Sequence, residues 1–300
     1  MATVLPRPTS APAGRGGARH RGRQVRRGGY YLLVLFVVVV TFFPIYWMVL
    51  SAIQPTKYST RYPPPFIPKG IDFQAFRTLF DKQPIVDWLI RSVYLAGIAT
   101  VICISLSILG AYALSSMRWR GRNAFAIFLL MTQMLPEALI IVPIFRIFTD
   151  FPIIHRDLRN SIPALALIHA AFILPICVWV LKNMFDTVPR EVREAGLVDG
   201  AGPMRVLFQI VIPLVLPGLV AVGVIAFFYA WNEYLFAQLL ITDKSLFPAS
   251  VGLGTMRTML DTPIEQLLAA GMLFSIPPVI FYVVMQRYIV AGISAGAVKG

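Results

Sequence analysis

Residues 189–217 read PREVREAGLVDGAGPMRVLFQIVIPLVLP, a polar stretch that opens with acids, crosses two closely spaced glycines and closes in an apolar run interrupted by prolines. A helix is expected to begin at Thr187 or Val188, with Pro189 at its first position, where a missing N–H costs nothing. Glu191 and Glu194 in the first turns complement the positive helix end. Gly200 and Gly202 permit a sharp turn, and Pro203 restarts a second helix toward the apolar run. Val192, Ala195 and Val198–Asp199 fall one turn apart, giving the first helix one small, partly apolar face. The pattern predicts a short helix, a glycine elbow and a second helix that enters a hydrophobic segment.

That hydrophobic segment is one of six. The chain has 300 residues, of which 57% are hydrophobic and 14% charged, whereas ordinary soluble domains carry about 25% charge. The deficit is concentrated in runs at 30–53, 88–117, 124–148, 161–185, 210–242 and 267–293. Each reaches the ~20 apolar residues needed to cross about 30 Å of hydrocarbon. The expected fold class is therefore all-α: a polytopic membrane protein with six transmembrane helices and the polar elbow (187–213) between the fourth and fifth. Residues 1–29 are rich in Arg, Gly, Pro and Ala and are expected to form a disordered tail ahead of a membrane domain at 30–300. The first run is too long for the 7–15-residue core of a cleaved signal, so it is expected to stay as an anchor. Arg26-Arg27 fit a twin-arginine signal poorly, because further spans follow.

The net charge of +13 does not call for nucleic acid, because the basic residues flank the spans, where they set orientation. Seven arginines lie in 1–29, three (Arg118, Arg120, Arg122) in the second connection and four lysines or arginines between Lys182 and Arg205. This modest bias places both termini and the elbow in the cytoplasm. Prolines interrupt the runs at 44, 136, 143, 175, 213, 217, 277 and 278. Each removes a backbone hydrogen bond that lipid cannot replace, a pattern suited to a moving, cavity-lining bundle. After the first run, Pro63-Pro64-Pro65 exclude helix and favour extended geometry. The apolar residues that follow (Phe66, Ile67, Phe73, Phe76, Leu79, Phe80) are expected to fold against the membrane face. Cys103 and Cys177 lie inside spans and are expected as small buried hydrophobes without a disulfide.

The skeleton Glu194-Ala195-Gly196, Gly200, Ile210 and Ile212-Pro213 resembles the "EAA" loop of ABC importer permeases, the segment that docks into an ATPase. Further segments carry the likeness along the chain after residue 30. They are FPIYWMVLSAIQPT at the end of the first run, LKNMFDTVPREVREA before the elbow, AWNEYLF at 230–236 and the GAVKG ending. Together they resemble the carbohydrate-uptake (maltose/glycerol-phosphate type) permeases, and among them the smaller membrane subunit of the two. The resemblance implies ATPase coupling through Glu191, Glu194, Ala195, Gly196, Asp199, Gly200, Ala201 and Gly202. It also implies a second homologous permease, a cytoplasmic ABC ATPase dimer, an extracytoplasmic sugar-binding protein and a bacterial or archaeal plasma membrane. The cargo expected from it is a di- or oligosaccharide, with glycerol-phosphate or a polyol as the alternative. ATP and Mg would be bound by the partner subunits, and this chain holds no cofactor; it has no phosphate-binding G-x-x-x-x-G-K-[ST] loop. The family's usual alanine is replaced by Gly196, which should loosen the helix by up to ~1 kcal/mol.

Within the spans, Asn232 and Glu233 have two readings: residues of a translocation path or permease interface, or residues at the outer surface beyond a span that ends near Tyr229. An ionised carboxylate inside a span needs a partner or water. Gln133, Glu137, Asn183 and Gln238 raise the same question. Tyr229 and Trp231, with Trp47 and Trp179, could stack on a sugar, although membrane-interface anchoring or packing is the more common role of such aromatics. No catalytic residue is expected. Gly292-Ile293-Ser294-Ala295-Gly296 matches the nucleophile-elbow pattern but lies at a helical membrane exit, and His20, His155 and His169 have no triad or metal-ligand spacing. The chain is thus expected to be a transport subunit and not an enzyme. A self-sufficient channel or carrier is the remaining alternative, and it would have no use for the elbow.

Overall fold

The computed structural model describes residues 16–59, 61, 63, 65–150, 157–258 and 262–297. Every regular element among them is helical. The first half of the chain contributes α1 (Gly16–Ile53), the turn α2 (Thr56–Ser59), α3 (Gln74–Lys82) and α4 (Ile85–Ser116). Then come α5 (Arg122–Met131), α6 (Glu137–Thr149) and α7 (Ile162–Asp186). The elbow comprises α8 (Arg190–Val198), α9 (Pro203–Val206), a π-helical turn (Leu207–Val211) and α10 (Ile212–Leu214). It is followed by α11 (Leu216–Asn232), α12 (Leu235–Leu240), α13 (Ala249–Thr258) and α14 (Ile264–Ala297).

Four helices are long and apolar enough to cross a membrane unaided: Gly29–Ile53, Ile85–Ser116, Ile162–Asp186 and Ile264–Tyr288. The third and fifth expected runs are broken instead, and the count reaches six only if each bent pair is one span. Arg122–Met134 and Glu137–Thr149 meet at 95°, and Pro203–Leu214 and Leu216–Asn232 at 82°. Proline accounts for both positions. Pro136 stands immediately before α6 in an extended conformation, and Pro213 and Pro217 flank the second bend at Val215. The fifth run also ends earlier than expected: α11 stops at Asn232, and α12 is a separate short helix.

α4, α7 and α11 pack on one another, and α14 joins them through α11. Their core has two halves. At one end Trp88, Leu95, Leu165, Trp231, Phe236 and Leu240 are buried together. At the elbow end Tyr112, Cys177, Leu181, Phe185, Leu207 and Val222 are buried together. Cys103 and Cys177 are free and buried, as expected. α1 lies at the edge against α14, and its side chains from Tyr30 to Tyr46 are largely exposed. Such a continuous apolar surface is tolerable only in lipid. α3 buries Ala75 and Leu79 against this edge, whereas Phe66, Ile67, Phe73 and Phe80 of the same connection stay exposed.

The unstructured tail needs correction in part. The α1 backbone is helical from Gly16, because once a long span has nucleated, extension adds one hydrogen bond per residue fixed. The expectation for residues 1–15 and the site of His155 lie outside the described residues. The 292–296 pattern is continuous helix, so no nucleophile elbow forms there.

At the end opposite the elbow, Asn160 (φ 58°) ties two connections together. Its Oδ1 accepts from the N–H of Thr242 at 2.7 Å and of Asp243 at 2.9 Å. Nearby, the Arg159 guanidinium holds the Asp157 carboxyl below the usual carboxylate range. Hydrogen bonding by Ser245 does the same for Asp243.

Candidate functional site: a coupling elbow and an intramembrane polar cluster

The elbow is built around two glycines with different roles. α8 starts at Arg190, so Pro189 is the capping residue rather than the first helical one, a shift of a single position. At the other end Gly200 has φ 82°, a left-handed conformation that glycine adopts without strain. Its N–H donates to Leu197 O at 3.1 Å, and the Ala201 N–H donates to Gly196 O at 3.0 Å. These are the paired bonds of a Schellman C-cap; they fix the turn and satisfy carbonyls that would otherwise be orphaned.

Gly196 is the one buried residue of α8. A Cβ there would lie 2.6 Å from Ile210 Cδ1 and 3.3 Å from Val206 Cγ2. Two positions of the motif, 196 and 210, are therefore in direct contact, and the missing methyl lets the helices approach closely. The opposite face is free: Glu191, Val192, Glu194, Ala195, Val198 and Asp199 are all exposed. Val198, at 87% exposed, is an apolar side chain presented almost fully outward. Arg193 anchors α8 to the bundle by donating to Ser116 Oγ at 2.7 Å and to Val188 O at 3.2 Å. The outcome is a short rigid helix braced from behind, with a small apolar and acidic face in front.

The second cluster lies where the break before α6 meets the C-terminal end of α11. Glu233, only 8% exposed, follows the end of α11. Its carboxylate accepts from the N–H of Phe236 at 2.8 Å and of Ala237 at 3.2 Å, and so caps α12. It stands just past the end of α11, and that helix break supplies the partners that its burial requires. His169 of α7 is fully buried, with Nε2 3.3 Å from Glu233 Oε2. That approach is close but poorly aligned, and neither ring nitrogen has a hydrogen-bond partner among the described residues. The Tyr229 ring meets His169 edge-on, with centroids 6.3 Å apart, and its hydroxyl donates to Glu137 Oε1 at the start of α6. Glu137, Tyr229, His169 and Glu233 thus form one polar chain across α6, α7 and α11.

The other path candidates are dispersed. Gln133 is exposed and donates from Nε2 to Phe172 O at 2.8 Å. Asn232 is exposed and donates back to Phe228 O at 2.8 Å. Trp231 does not stand in any opening: it is 1% exposed and stacks on Phe227 and Phe274. A sugar could not stack on that indole without displacing the core, so Trp231 is a packing residue. His169 was the member missed in the sequence. A lone histidine on an apolar helix carries no spacing signal, and only the tertiary fold brings it to Glu233. Among the described residues no group of three or more His, Cys, Asp or Glu could hold a metal ion.

A kinked membrane bundle with a braced polar elbow between two spans defines a transport subunit. Residues 104–295 match the family described as binding-protein-dependent transport system inner membrane component. The chain belongs to this family: it is a multi-pass permease subunit of an ABC importer. It is 32% identical to the inner membrane ABC transporter permease protein YcjP of Escherichia coli, over 93% of this chain and 98% of that protein. It is 30% identical to the trehalose transport system permease protein SugB of Mycobacterium tuberculosis, over 92% and 99% respectively. It is also 30% identical to the diacetylchitobiose uptake system permease protein DasC of Streptomyces coelicolor, over 89% and 95%. A crystallised bacterial ABC transporter that imports alginate superposes with a TM-score of 0.75, covering 93% of this chain and 99% of its own at 21% identity. That likeness supports the fold.

Proposed function

We propose that this chain is the smaller of two permeases in an ATP-driven importer of a di- or oligosaccharide, and that α8 is the part through which ATPase closure reaches the membrane. The observation that carries the coupling role is the two-sided construction of α8. Gly196 seats the helix against Ile210, while Glu191, Glu194, Ala195 and Asp199 face outward. A groove on a partner needs small residues for close approach and an acid for a charge-assisted contact. Gly200, Ala201 and Gly202 shape the turn beside that face. The carbohydrate assignment is supported by relatives named for trehalose and diacetylchitobiose.

In this arrangement the partners are a second homologous permease, a pair of ATPase subunits that bind ATP and Mg, and an extracytoplasmic sugar-binding protein. Both termini and the elbow face the cytoplasm, consistent with the arginines at 118, 120 and 122 near the same end. Tyr229, Glu233, Gln133 and Asn232 are the residues nearest a translocation path, with Glu137 and His169 joining Tyr229 and Glu233.

Affinity purification of the tagged chain from its native membrane, followed by identification of copurifying proteins, tests the assembly. An ATPase, a second permease and a solute-binding protein are expected, and screening sugars on that binding protein names the cargo. Recovery of the chain alone, even after mild crosslinking, refutes the assembly. Glu194→Lys tests the lever: expression and assembly persist while ATP hydrolysis is uncoupled from uptake. Normal uptake at normal expression would remove Glu194 from the coupling contact.

A further inference from the structure

The elbow has a second, basic flank that the coupling role touches only at Glu194. Between α8 and the connection from α4 to α5 lie two adjoining cavities of about 250 Å³ and 650 Å³. They share Arg118, Arg122 and Arg190; Arg193 lines the smaller and Arg120 the larger. Five guanidinium groups therefore surround one cleft; Glu194 is the only carboxylate in its lining, and Asp186, which accepts from the lining Ser115 and is shared with Lys182, stands just outside. Arg193 is committed to Ser116 and Val188, and Arg122 reaches Met117 O at 3.4 Å. Arg118, Arg120 and Arg190 have no ion pair among the described residues. Such a concentration of like charge is unfavourable unless an anion neutralises it.

The position of the cleft indicates which anion. Its rim is formed where two spans end, at Ser116 of α4 and Arg122 of α5, so it lies at the depth of lipid headgroups. Trp119 lines it, 42% exposed, with its indole N–H donating to Ala113 O at 3.2 Å and its ring edge against Phe125. Tryptophan fixed in this way, beside exposed Met117, is the pattern of a membrane–water interface. Guanidinium forks match phosphate oxygens in pairs, and basic pockets between spans suit anionic headgroups. The cleft meets the outward face of α8 only at Glu194; Val192, Ala195, Val198 and Asp199 are not part of its lining.

We infer that the cleft lined by Arg118, Arg120, Arg122, Arg190 and Arg193 binds the phosphate of an anionic lipid headgroup from the leaflet at the elbow end. The lipid then braces α8 along the flank that carries Arg190 and Arg193, bordering its free face at Glu194, and ties the lever to the membrane surface. This goes beyond the importer assignment and does not depend on which sugar is carried.

The test uses the purified complex containing the full chain, in nanodiscs of zwitterionic phosphatidylcholine doped with brominated phosphatidylglycerol or, separately, brominated phosphatidylcholine. Bromine quenches nearby indoles, and the Trp119→Phe complex isolates the Trp119 signal. Stronger quenching by the anionic lipid is expected at equal doping. The preference should fall about fivefold per arginine removed, on the order of a hundredfold in the Arg118→Gln, Arg120→Gln, Arg190→Gln variant. The corresponding triple lysine variant, which keeps the charge, should retain most of it, separating charge from misfolding. Equal quenching by the two lipids overturns the assignment. So does inorganic phosphate binding to the detergent-purified complex through these arginines while the nanodiscs show no anionic preference, which would make the ligand a free anion. Loss of copurifying ATPase from the glutamine variant without change in lipid quenching also overturns it, making the cleft a protein contact.

Discussion

Glu233 occupies a position where a carboxylate has to be held by its neighbours. Its oxygens accept from the backbone N–H groups of Phe236 and Ala237, two of the donors that the first turn of a helix leaves unpaired. In Glu233→Ala both donors stay buried without a partner, at about 1–3 kcal/mol each. Glu233→Gln keeps one acceptor oxygen and should lose less. Thermal unfolding of the detergent-solubilised complex should rank the proteins wild type, Gln, Ala; equal midpoints for Gln and Ala would mean that the capping bonds contribute nothing. The glycines of the elbow should respond differently to the same substitution. Gly200→Ala forces an L side chain into the left-handed region, costing roughly 1–2 kcal/mol. At Gly196 a methyl group gains up to about 1 kcal/mol of helix propensity, and the atom it meets, Ile210 Cδ1 at 2.6 Å, is the end of a flexible side chain. Gly196→Ala should therefore be close to neutral, and Gly196→Leu should separate α8 from Ile210 and abolish coupled uptake. An equal loss of stability for Gly196→Ala and Gly200→Ala would contradict this account.

At the scale of elements, the broken helices decide how distant parts meet. Prolines marked both breaks in the sequence, but the 95° and 82° angles were not legible there. A proline removes a hydrogen bond; the direction taken afterwards is set by packing of α7 and α11 around the gap. The elbow was legible almost completely, because its glycine and proline positions specify backbone geometry locally. The intramembrane cluster was legible only as separate polar residues: Tyr229 and Glu233 share α11 and its edge, whereas Glu137 and His169 arrive from α6 and α7. Trp231 had the chemistry of a sugar platform as well as of a packing residue, and its burial among Phe227 and Phe274, which decides for packing, depends on helix rotation. The hydrogen bond from Tyr229 to Glu137 is what fastens the second half of the broken third span to α11. Tyr229→Phe removes it with little change in volume. Allowing for a half-buried pair, a loss of about 1 kcal/mol is expected. Hydrogen exchange should then rise in α6 more than in α7; a uniform rise, or none, would show that other contacts hold α6.

For the molecule as a whole, the elbow and the polar cluster are the two ends of one part. α11 starts at the bend beside α10 and runs 17 residues to the break at Glu233, which at 1.5 Å per residue is about 25 Å. It packs on α4, α7 and α14 along the way, so a displacement of α8 transmitted through Ile210 and Val215 can reach Tyr229 and Glu233 as a rigid motion. Rigidity is the property on which the proposed coupling depends, and it can be altered without touching either end. Val220 and Ala221 are half-buried in the middle of α11 and belong to neither cluster. The double substitution Val220→Gly, Ala221→Gly adds roughly 1 kcal/mol of helix cost per position and gives the lever a soft point. The complex should still assemble and hydrolyse ATP, with fewer solute molecules taken up per ATP, while Val220→Ala alone should be nearly silent. Reconstituted vesicles in which both quantities are measured together provide the check. A matched fall in hydrolysis and uptake would place the defect in ATPase docking, and unchanged stoichiometry would mean that α11 does not carry the stroke.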